Sequence, residues 1–581
     1  MRIRPVSRLA PMASTGLLLV AIGVQATASA APPPDPIKAR LTQMSVEQKV
    51  GQLFATYVYG STATSPSAAD AAQNESHYGV DTGAQVIAKY HLGSVIYFTW
   101  SDNLNAPTQI AGLSNGLQQA AVDSDGTPLL ISTDQEGGNV TRIGAPLAVS
   151  PGNMAIGATF SPVDSYDMSR ATGQQLKAIG ITVDDAPVVD VNTNPANTAD
   201  GPRSFGDQAV PVSALAAASV LGYQSAKVAA TAKHFPGLGS TSINTDNGIA
   251  VTDETRAQFE RNDLPPFRAA IAAGTDEIMA AHIVAPSLDP SGAPASLSKP
   301  IVTDLLRKQL HYDGVVVTDA LSAAALQNVD PAERAVRALE AGVDQLLMPT
   351  SLPDAYNAVL AAVHSGRISK ARIDQSVTRV LKLKQKLGLF DNAMVDVSKV
   401  PTSVGTASQN AAAASVAKHS ITLVRNQNHV LPLHGAGQKV LVTGWGAGTT
   451  QTLAAAIATH GVTTQRVYTG GAPSQALIDA AVAAASASGQ VVVTTDNAWG
   501  DTGQQALVKA LLATGKPVVV VSVGGPYDLA YLGAAPTYLA AYGYQPPTLT
   551  QLVAVLFGAQ PGGHLPVTIK GFAGYGTGLR Y

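Results

Sequence analysis

The chain has 581 residues, 37 basic against 40 acidic side chains and no cysteine. Such a length exceeds what one hydrophobic core serves and points to two or three domains; the near-neutral balance, with no run of Lys or Arg beyond the first ten residues, argues against a nucleic-acid partner. The missing cysteine excludes disulfides, thiolate catalysis, Cys-ligated zinc and a lipidated cysteine anchor together.

Taken in chain order, Arg2, Arg4 and Arg8 precede a short apolar run from Leu17 to Val24, and the small residues Ala28, Ser29 and Ala30 follow. This is the anatomy of a secretory signal peptide, residues 1–30, cleaved after Ala30. The apolar run is shorter than the ~20 residues of a spanning helix. The mature chain is therefore expected outside the cell or in its envelope, with no integral membrane anchor. A Pro-rich spacer occupies 31–36.

Eight apolar, β-rich runs come next: QLFATYV, GSVIYFT, PLLISTD, ITVDDAPVVDVN, VAATAKHF, EIMAAHI, GVVVTDA and DQLLMP. Helical periods separate them at 162–179, 212–226, 299–310 and 331–341. Runs so continuous in Val, Ile, Leu and Ala imply strands buried on both faces, hence a parallel sheet covered by helices. Eight β-α units over residues 37–395 fit a (β/α)8 TIM barrel, with an open doubly wound sheet as the alternative. Asp134, Asp190, Lys233 with His234, His282 and Asp319 all fall at or near the ends of separate runs, where a barrel gathers its active site.

From about Gly405 the pattern restarts. SITLVRN, KVLVTGWG, QVVVTTD, KPVVVVSVGG and TYLAAYG alternate with helical segments at 474–487 and 502–514, which predicts a second, smaller α/β domain over 405–581. The GWGAG run lacks the third glycine and the downstream acid of a dinucleotide fingerprint, so it reads as a tight turn.

Asp319, after GVVVT, stands where a carboxylate is desolvated on one side and open to a barrel mouth on the other, which suits a nucleophile or general base. The competing reading is an N-cap of a following helix. Asp134 and Glu136 in STDQEGG, and Asp190, Asn192 and Arg203 in the loop after the fourth run, offer the carboxylates, amide and guanidinium that sugar hydroxyls require. Turn chemistry explains the same residue types.

The motifs DQEGG, PVVDVNTNPAN leading to RSFG, KHFPG, MAAHI, GVVVTDALS and AGVDQLLMP occur in an order and spacing that resemble glycoside hydrolase family 3, and within it the bacterial β-N-acetylglucosaminidase (β-hexosaminidase) branch. The resemblance spans nearly all of 40–390, and SITLVRNQNHVLPL through GGHLPVTI is similar to that family's C-terminal α/β sandwich. It implies an exo-acting, retaining glycosidase, with Asp319 as nucleophile and Asp134, Arg203, Lys233, His234 and His282 binding the terminal sugar. In one place the pattern breaks. Where the branch carries an Asp-x-His pair as its acid/base, this chain has Asn244 and Asp246, and Leu238 replaces a second histidine.

Asp246 is therefore the expected acid/base, paired with Asp319 as two carboxylates work in most glycosidases. An Asx turn in a surface loop is the bland alternative for Asn244 and Asp246. Glu136 and, from the second domain, Asp501 are the other proton sources to consider. The expected activity is release of terminal β-linked N-acetylglucosamine from cell-wall fragments or chitin oligosaccharides, a carbohydrate substrate. A β-glucosidase, a sugar-binding protein that has lost catalysis and, less so, a phosphorylase are the alternatives. The mechanism requires no metal and no organic cofactor, and the sequence leaves the oligomeric state open.

Overall fold

The computed structural model describes residues 35–581 apart from Asn428 and Ala436. The expected signal peptide lies outside the described residues. Pro36 belongs to a helix rather than a spacer: Asp35 accepts from the Ile37 amide at 3.0 Å and caps Pro36–Gln43, where a proline at the first position sacrifices no hydrogen bond.

All eight expected runs form strands of one parallel sheet: β1 Phe54–Thr56, β2 Ser94–Ile96, β3 Leu130–Thr133, β4 Val183–Asp184, β5 Ala229–Phe235, β6 Glu277–Ala280, β7 Val315–Thr318 and β8 Leu346–Leu347. They neighbour one another in sequence order, and β1 pairs with β8. A parallel bridge from Val317 to Gln345, with the Thr318 amide donating to the Gln345 carbonyl at 3.0 Å, joins β7 to the approach of β8 and nearly closes the ring. This decides for the barrel over the open sheet. The fourth run, ITVDDAPVVDVN, yields only two residues of regular strand, because Pro187 has no N–H for a ladder; Val188 rejoins Lys233 as a single bridge.

The barrel interior is filled in layers. Leu130, Val183, Ala229 and Val315, at strand starts, pack with Val380 and Leu383 of the helix Lys370–Lys386. Ala55, Ile96, Phe98, Met279, Val317 and Leu347 form a second layer toward the strand ends. The mouth at the C-terminal ends therefore rests on a solid plug, as barrel packing requires. The predicted helices stand at Pro162–Ala178, Ala209–Ser225 and Pro331–Ala341, while the 299–310 segment is wound as a π-helix, Pro300–Gln309.

The second sheet is mixed. Its strands, β9 Thr422–Asn426, β10 Lys439–Gly444, β11 Thr463–Tyr468, β12 Gln490–Thr495, β13 Val518–Ser522 and β14 Thr537–Ala540, lie in the order β9, β14, β13, β12, β10, β11, with only β9 antiparallel. Strand β11 was not foreseen: TTQRVY is a partly exposed edge without an apolar run. Glycine is required at 444, where φ is 111° and a Cβ would meet the Thr494 carbonyl at 2.1 Å; this tight turn leads to Gly446, the N-cap of the helix Ala447–Ala458. Specific bonds tie the second domain to the barrel loops. Asn192 donates to the Tyr527 hydroxyl at 3.0 Å, Gln545 to the Gly138 carbonyl at 2.8 Å, and the Thr568 amide to Asp207 at 2.7 Å.

Candidate active site

A cleft of about 940 Å³ opens at the strand ends, and both domains line it. From the barrel come Asp134, Glu136, Arg142, Arg203, Lys233, His234, Asp246 and Asp319; from the second domain come Trp445, Asp496, Trp499, Asp501 and Tyr527. Of the seven residues expected as nucleophile, acid/base or sugar contacts, six thus line one cleft.

Lys233, near the end of β5, is 2% exposed. Its Nζ donates to Asp134 Oδ1 at 3.0 Å and lies 2.7 Å from Glu136 Oε1. Arg203 grips Glu136 in a fork, Nε to Oε2 and Nη2 to Oε1, both at 2.8 Å. Arg142 donates to the other Asp134 oxygen at 3.1 Å. Burial opposes ionisation of both acids, yet Arg203 and Lys233 hold the Glu136 carboxyl far below the usual range, and Lys233 with Arg142 lowers Asp134. Glu136 is consequently unfit to give up a proton near neutral pH. The lattice is a rigid set of charged donors and acceptors, and planar bidentate pairs of this kind give geometric specificity.

His234 stands beside this lattice. Its Nδ1 and its backbone N–H both bond to Asp190 Oδ2, at 2.7 and 3.0 Å, while the Leu238 amide takes Oδ1 at 2.8 Å. Burial works against protonation of the ring, but the hydrogen bond and charge of Asp190 outweigh it and raise the imidazole above its ordinary value. Asp190, Asp200 and His234 place ligand-type atoms within 4.8 Å of one another, the metal-compatible group among the described residues. The Nδ1 that would serve is already committed to Asp190.

Asp319 follows β7 directly. No α-helix begins there for it to cap; a single 3-10 turn, Ala324–Leu326, comes next. The Ala320 amide donates to its Oδ1 at 2.8 Å. Burial pushes this carboxyl toward the neutral form, but His234, His282, the Ala320 amide and Lys233 together pull it below its usual value. It stays an anion. His282, expected among the sugar contacts, does not line the cleft: it is fully buried, with Nδ1 at 2.7 Å from Ser296 Oγ and Nε2 at 2.9 Å from the Ala320 carbonyl. It braces the backbone beside Asp319 from behind, and burial lowers its own pKa.

Asp246 rides on the loop after β5. The Asx turn foreseen as the bland reading exists, with Asn244 Oδ1 accepting from the Asp246 amide at 2.8 Å. The turn nevertheless aims Asp246 into the cleft. Two bonds dock the loop against the segment after Asp319, from the Ala325 amide to the Thr245 carbonyl at 3.0 Å and from the Ala324 amide to the Asp246 carbonyl at 3.4 Å. Although the side chain still meets solvent, the protein crowding it, and next the charge of Asp319, raise its pKa. Two carboxyls in one cleft are thereby pushed apart in ionisation, the usual arrangement of an acid and a nucleophile.

Asp501 is differently employed. It caps the helix Thr502–Ala513, accepting from the Gln504 amide at 3.0 Å and the Ala472 amide at 2.6 Å, bonds that overcome burial and keep it ionised. No local pattern marked the wall formed by Trp445, Trp499 and Tyr527. They follow strand ends of the second domain, and only the relative placement of the two domains brings them to the cleft.

Comparison with known proteins agrees with this architecture. A β-hexosaminidase A of Pseudoalteromonas piscicida is 32% identical over 548 residues, covering 84% of this chain and 91% of its own. A β-N-acetylglucosaminidase/β-glucosidase of Cellulomonas fimi is 30% identical, covering 90% and 94%. The structure of a glycoside hydrolase family 3 β-N-acetylglucosaminidase from Paenibacillus sp. str. FPU-7 matches with a TM-score of 0.82 at 36% identity, over 90% of this chain and 99% of its own. The profile of the glycosyl hydrolase family 3 N terminal domain matches residues 45–383 and that of the family 3 C-terminal domain residues 421–575. With the nearly closed barrel, the second sheet and the shared cleft, these matches make the chain a glycoside hydrolase that belongs to family 3.

Proposed function

We propose that the chain is an exo-acting, retaining β-glycosidase that releases terminal β-linked N-acetylglucosamine from cell-wall fragments or chitin oligosaccharides. The observation that carries the reading is the pair of opposed carboxyls in one cleft, Asp319 drawn below the usual carboxylate range by its neighbours and Asp246 pushed above it by burial and the charge of Asp319. In the first step an Asp319 oxygen bonds to the anomeric carbon while Asp246 gives its proton to the departing glycosidic oxygen. In the second, water attacks the same carbon, Asp246 takes its proton, and Asp319 is released. Such a sequence needs the two groups to approach to roughly 5 to 5.5 Å around substrate. Asp134, Lys233, Arg203 and His234 bind the hydroxyls of the terminal sugar, and His282 acts as a positioning residue for Asp319. The Arg-rich, then apolar, then small-residue start of the chain supports export with cleavage after Ala30.

The names of the relatives favour the acetamido sugar, and the double name of the Cellulomonas fimi protein gives a β-glucosidase activity as the second reading. Hydrolysis rates on an aryl β-N-acetylglucosaminide and an aryl β-glucoside separate the two. Turnover of the first at ten or more times the rate of the second is expected; turnover of the glucoside alone rejects the substrate assignment.

A further inference from the structure

All three tryptophans of the chain stand at the cleft or against its wall. Trp445 and Trp499 line it, and Trp100 stacks on Phe98, which does. Trp100 is the unusual one, because its indole is 55% exposed. Its ring lies 5.0 Å from Phe98 at an interplanar angle of 19°, with Tyr57 edge-on at 4.7 Å and Tyr59 at 5.9 Å. Arg142, which pairs with Asp134 in the cleft, also sits over the Phe98 ring at 5.6 Å. The aromatic surface is thus continuous with the polar site.

The base of this surface is fixed. Asn103, fully buried, donates to the carbonyls of Val58 and Gly60, both at 3.0 Å, and Ser101 donates to the Phe98 carbonyl at 3.1 Å. The Tyr78 hydroxyl holds the Tyr57 carbonyl at 2.7 Å, and Asn74 receives the Tyr59 amide at 2.9 Å. Buried polar side chains have therefore locked the segments after β1 and β2 so that an indole face meets water. An aromatic ring of that size left bare on a rigid base forfeits the burial that normally stabilises it.

The geometry points to Trp100, carried on Phe98 and Tyr57, as a shelf for the leaving-group sugars of a β-linked oligosaccharide. Pyranose rings in such chains keep their hydroxyls equatorial and present an apolar C–H face that an indole can cover. On the proposed reading the charged lattice around Lys233 holds the terminal sugar, and Trp100 stands outside that lattice on Phe98, a residue of the cleft wall, where the sugars that follow meet an exposed indole. The inference rests on the proposed glycosidase reading and extends it: the preferred substrate is an oligosaccharide of three or more units rather than a glycoside with a small aglycone.

Two measurements test it. In the first, kcat/KM is compared on β-N-acetylglucosaminyl fluoride, which has no aglycone to stack, and on the β-1,4-linked di-, tri- and tetrasaccharides. Trp100→Ala is expected to lose about tenfold on the tri- and tetrasaccharide and less than about twofold on the fluoride, a stacking contact of ordinary strength, and Trp100→Phe to recover most of the loss. Equal loss on all substrates, or no loss on the long ones, overturns the shelf. In the second, tetrasaccharide binding is measured in an Asp319→Asn background with and without Trp100→Ala. About tenfold weaker binding supports the shelf even if the wild-type protein turns over nothing, which would count against the glycosidase reading alone; equal Kd values overturn it.

Discussion

The Ala325 amide donates to the Thr245 carbonyl over 3.0 Å, and this bond ties the loop that carries Asp246 to the segment that follows Asp319. A second bond, from the Ala324 amide to the Asp246 carbonyl at 3.4 Å, holds the same loop, so backbone contacts rather than side chains set where the Asp246 carboxyl stands.

The first prediction concerns Asp246. Asp246→Ala should lose roughly 10²- to 10⁴-fold on substrates with poor leaving groups, the range of general acid catalysis, and far less on activated aryl glycosides. Added azide should restore turnover by attacking the glycosyl-enzyme in place of activated water. Steady-state rates over a series of leaving groups check this, and a loss independent of leaving group would assign the proton transfer elsewhere.

The pH profile follows from the same two shifts. Asp319 must be ionised and its pKa lies below the usual value, so activity falls only on strong acidification. Asp246 must be protonated and its pKa is raised, so activity falls as pH climbs through that raised value. A bell-shaped kcat/KM profile is expected, and Asp246→Asn should abolish its alkaline limb while keeping the acidic one.

Glu136 supports both binding and stability. Glu136→Gln leaves Lys233 and Arg203 without their shared counter-charge in a buried site, a change that costs about 3–5 kcal/mol. The folded pKa of Glu136 is depressed, so its contribution is present above the unfolded carboxylate pKa and is lost as pH falls below it toward the folded value. Thermal melts of wild type and variant should therefore converge on acidification, and KM should rise in the variant at neutral pH.

Lys384 opposes the fold at neutral pH where Glu136 supports it, although stability rises with pH through both. It is fully buried in the helix Lys370–Lys386, its Nζ donates to Gln52 Oε1 at 2.6 Å, and burial pushes its pKa down to about 7. Between that value and the ordinary lysine range the unfolded chain binds a proton that the folded one does not, so stability rises with pH across the window. Lys384→Met should raise Tm at pH 7 by about a few degrees and flatten the pH dependence between 7 and 10, with no change in kcat. A lower Tm would show the Gln52 bond to be worth more than the desolvation.

His282→Gln tests the brace behind Asp319. A positioning role predicts a fall in kcat with little change in KM, whereas direct contact with the sugar would raise KM. His282→Phe, which can neither donate nor accept, should fall further in kcat than the glutamine variant.

The barrel was legible because most of its strands lie in nearly continuous apolar runs, the fourth, broken by Pro187, being the exception, and Asp134, Lys233, His234 and Asp319 stood out because each sits near the end of such a run or just past it. Three features escaped. Strand β11 is polar and partly exposed, so no periodicity marked it. The family resemblance implied that His282 touches sugar, but Ser296 and Ala320 close around its ring, and no local pattern encodes such long-range bonds. Trp445 and Trp499 belong to turns of the second domain, and their meaning depends on how two separately patterned halves face each other. Asn244 and Asp246 were read both as a turn and as a site: the Asx turn is present, and the carboxyl that it carries lines the cleft.

The central claim, a covalent bond between Asp319 and the anomeric carbon, is tested most directly by following the first-formed sugar by proton NMR. The account predicts that the β-anomer appears first and that mutarotation to the α form follows, with a fluorinated activated glycoside leaving its label on the peptide that contains Asp319. An α-anomer as the initial product, or full activity in Asp319→Ala, would contradict it.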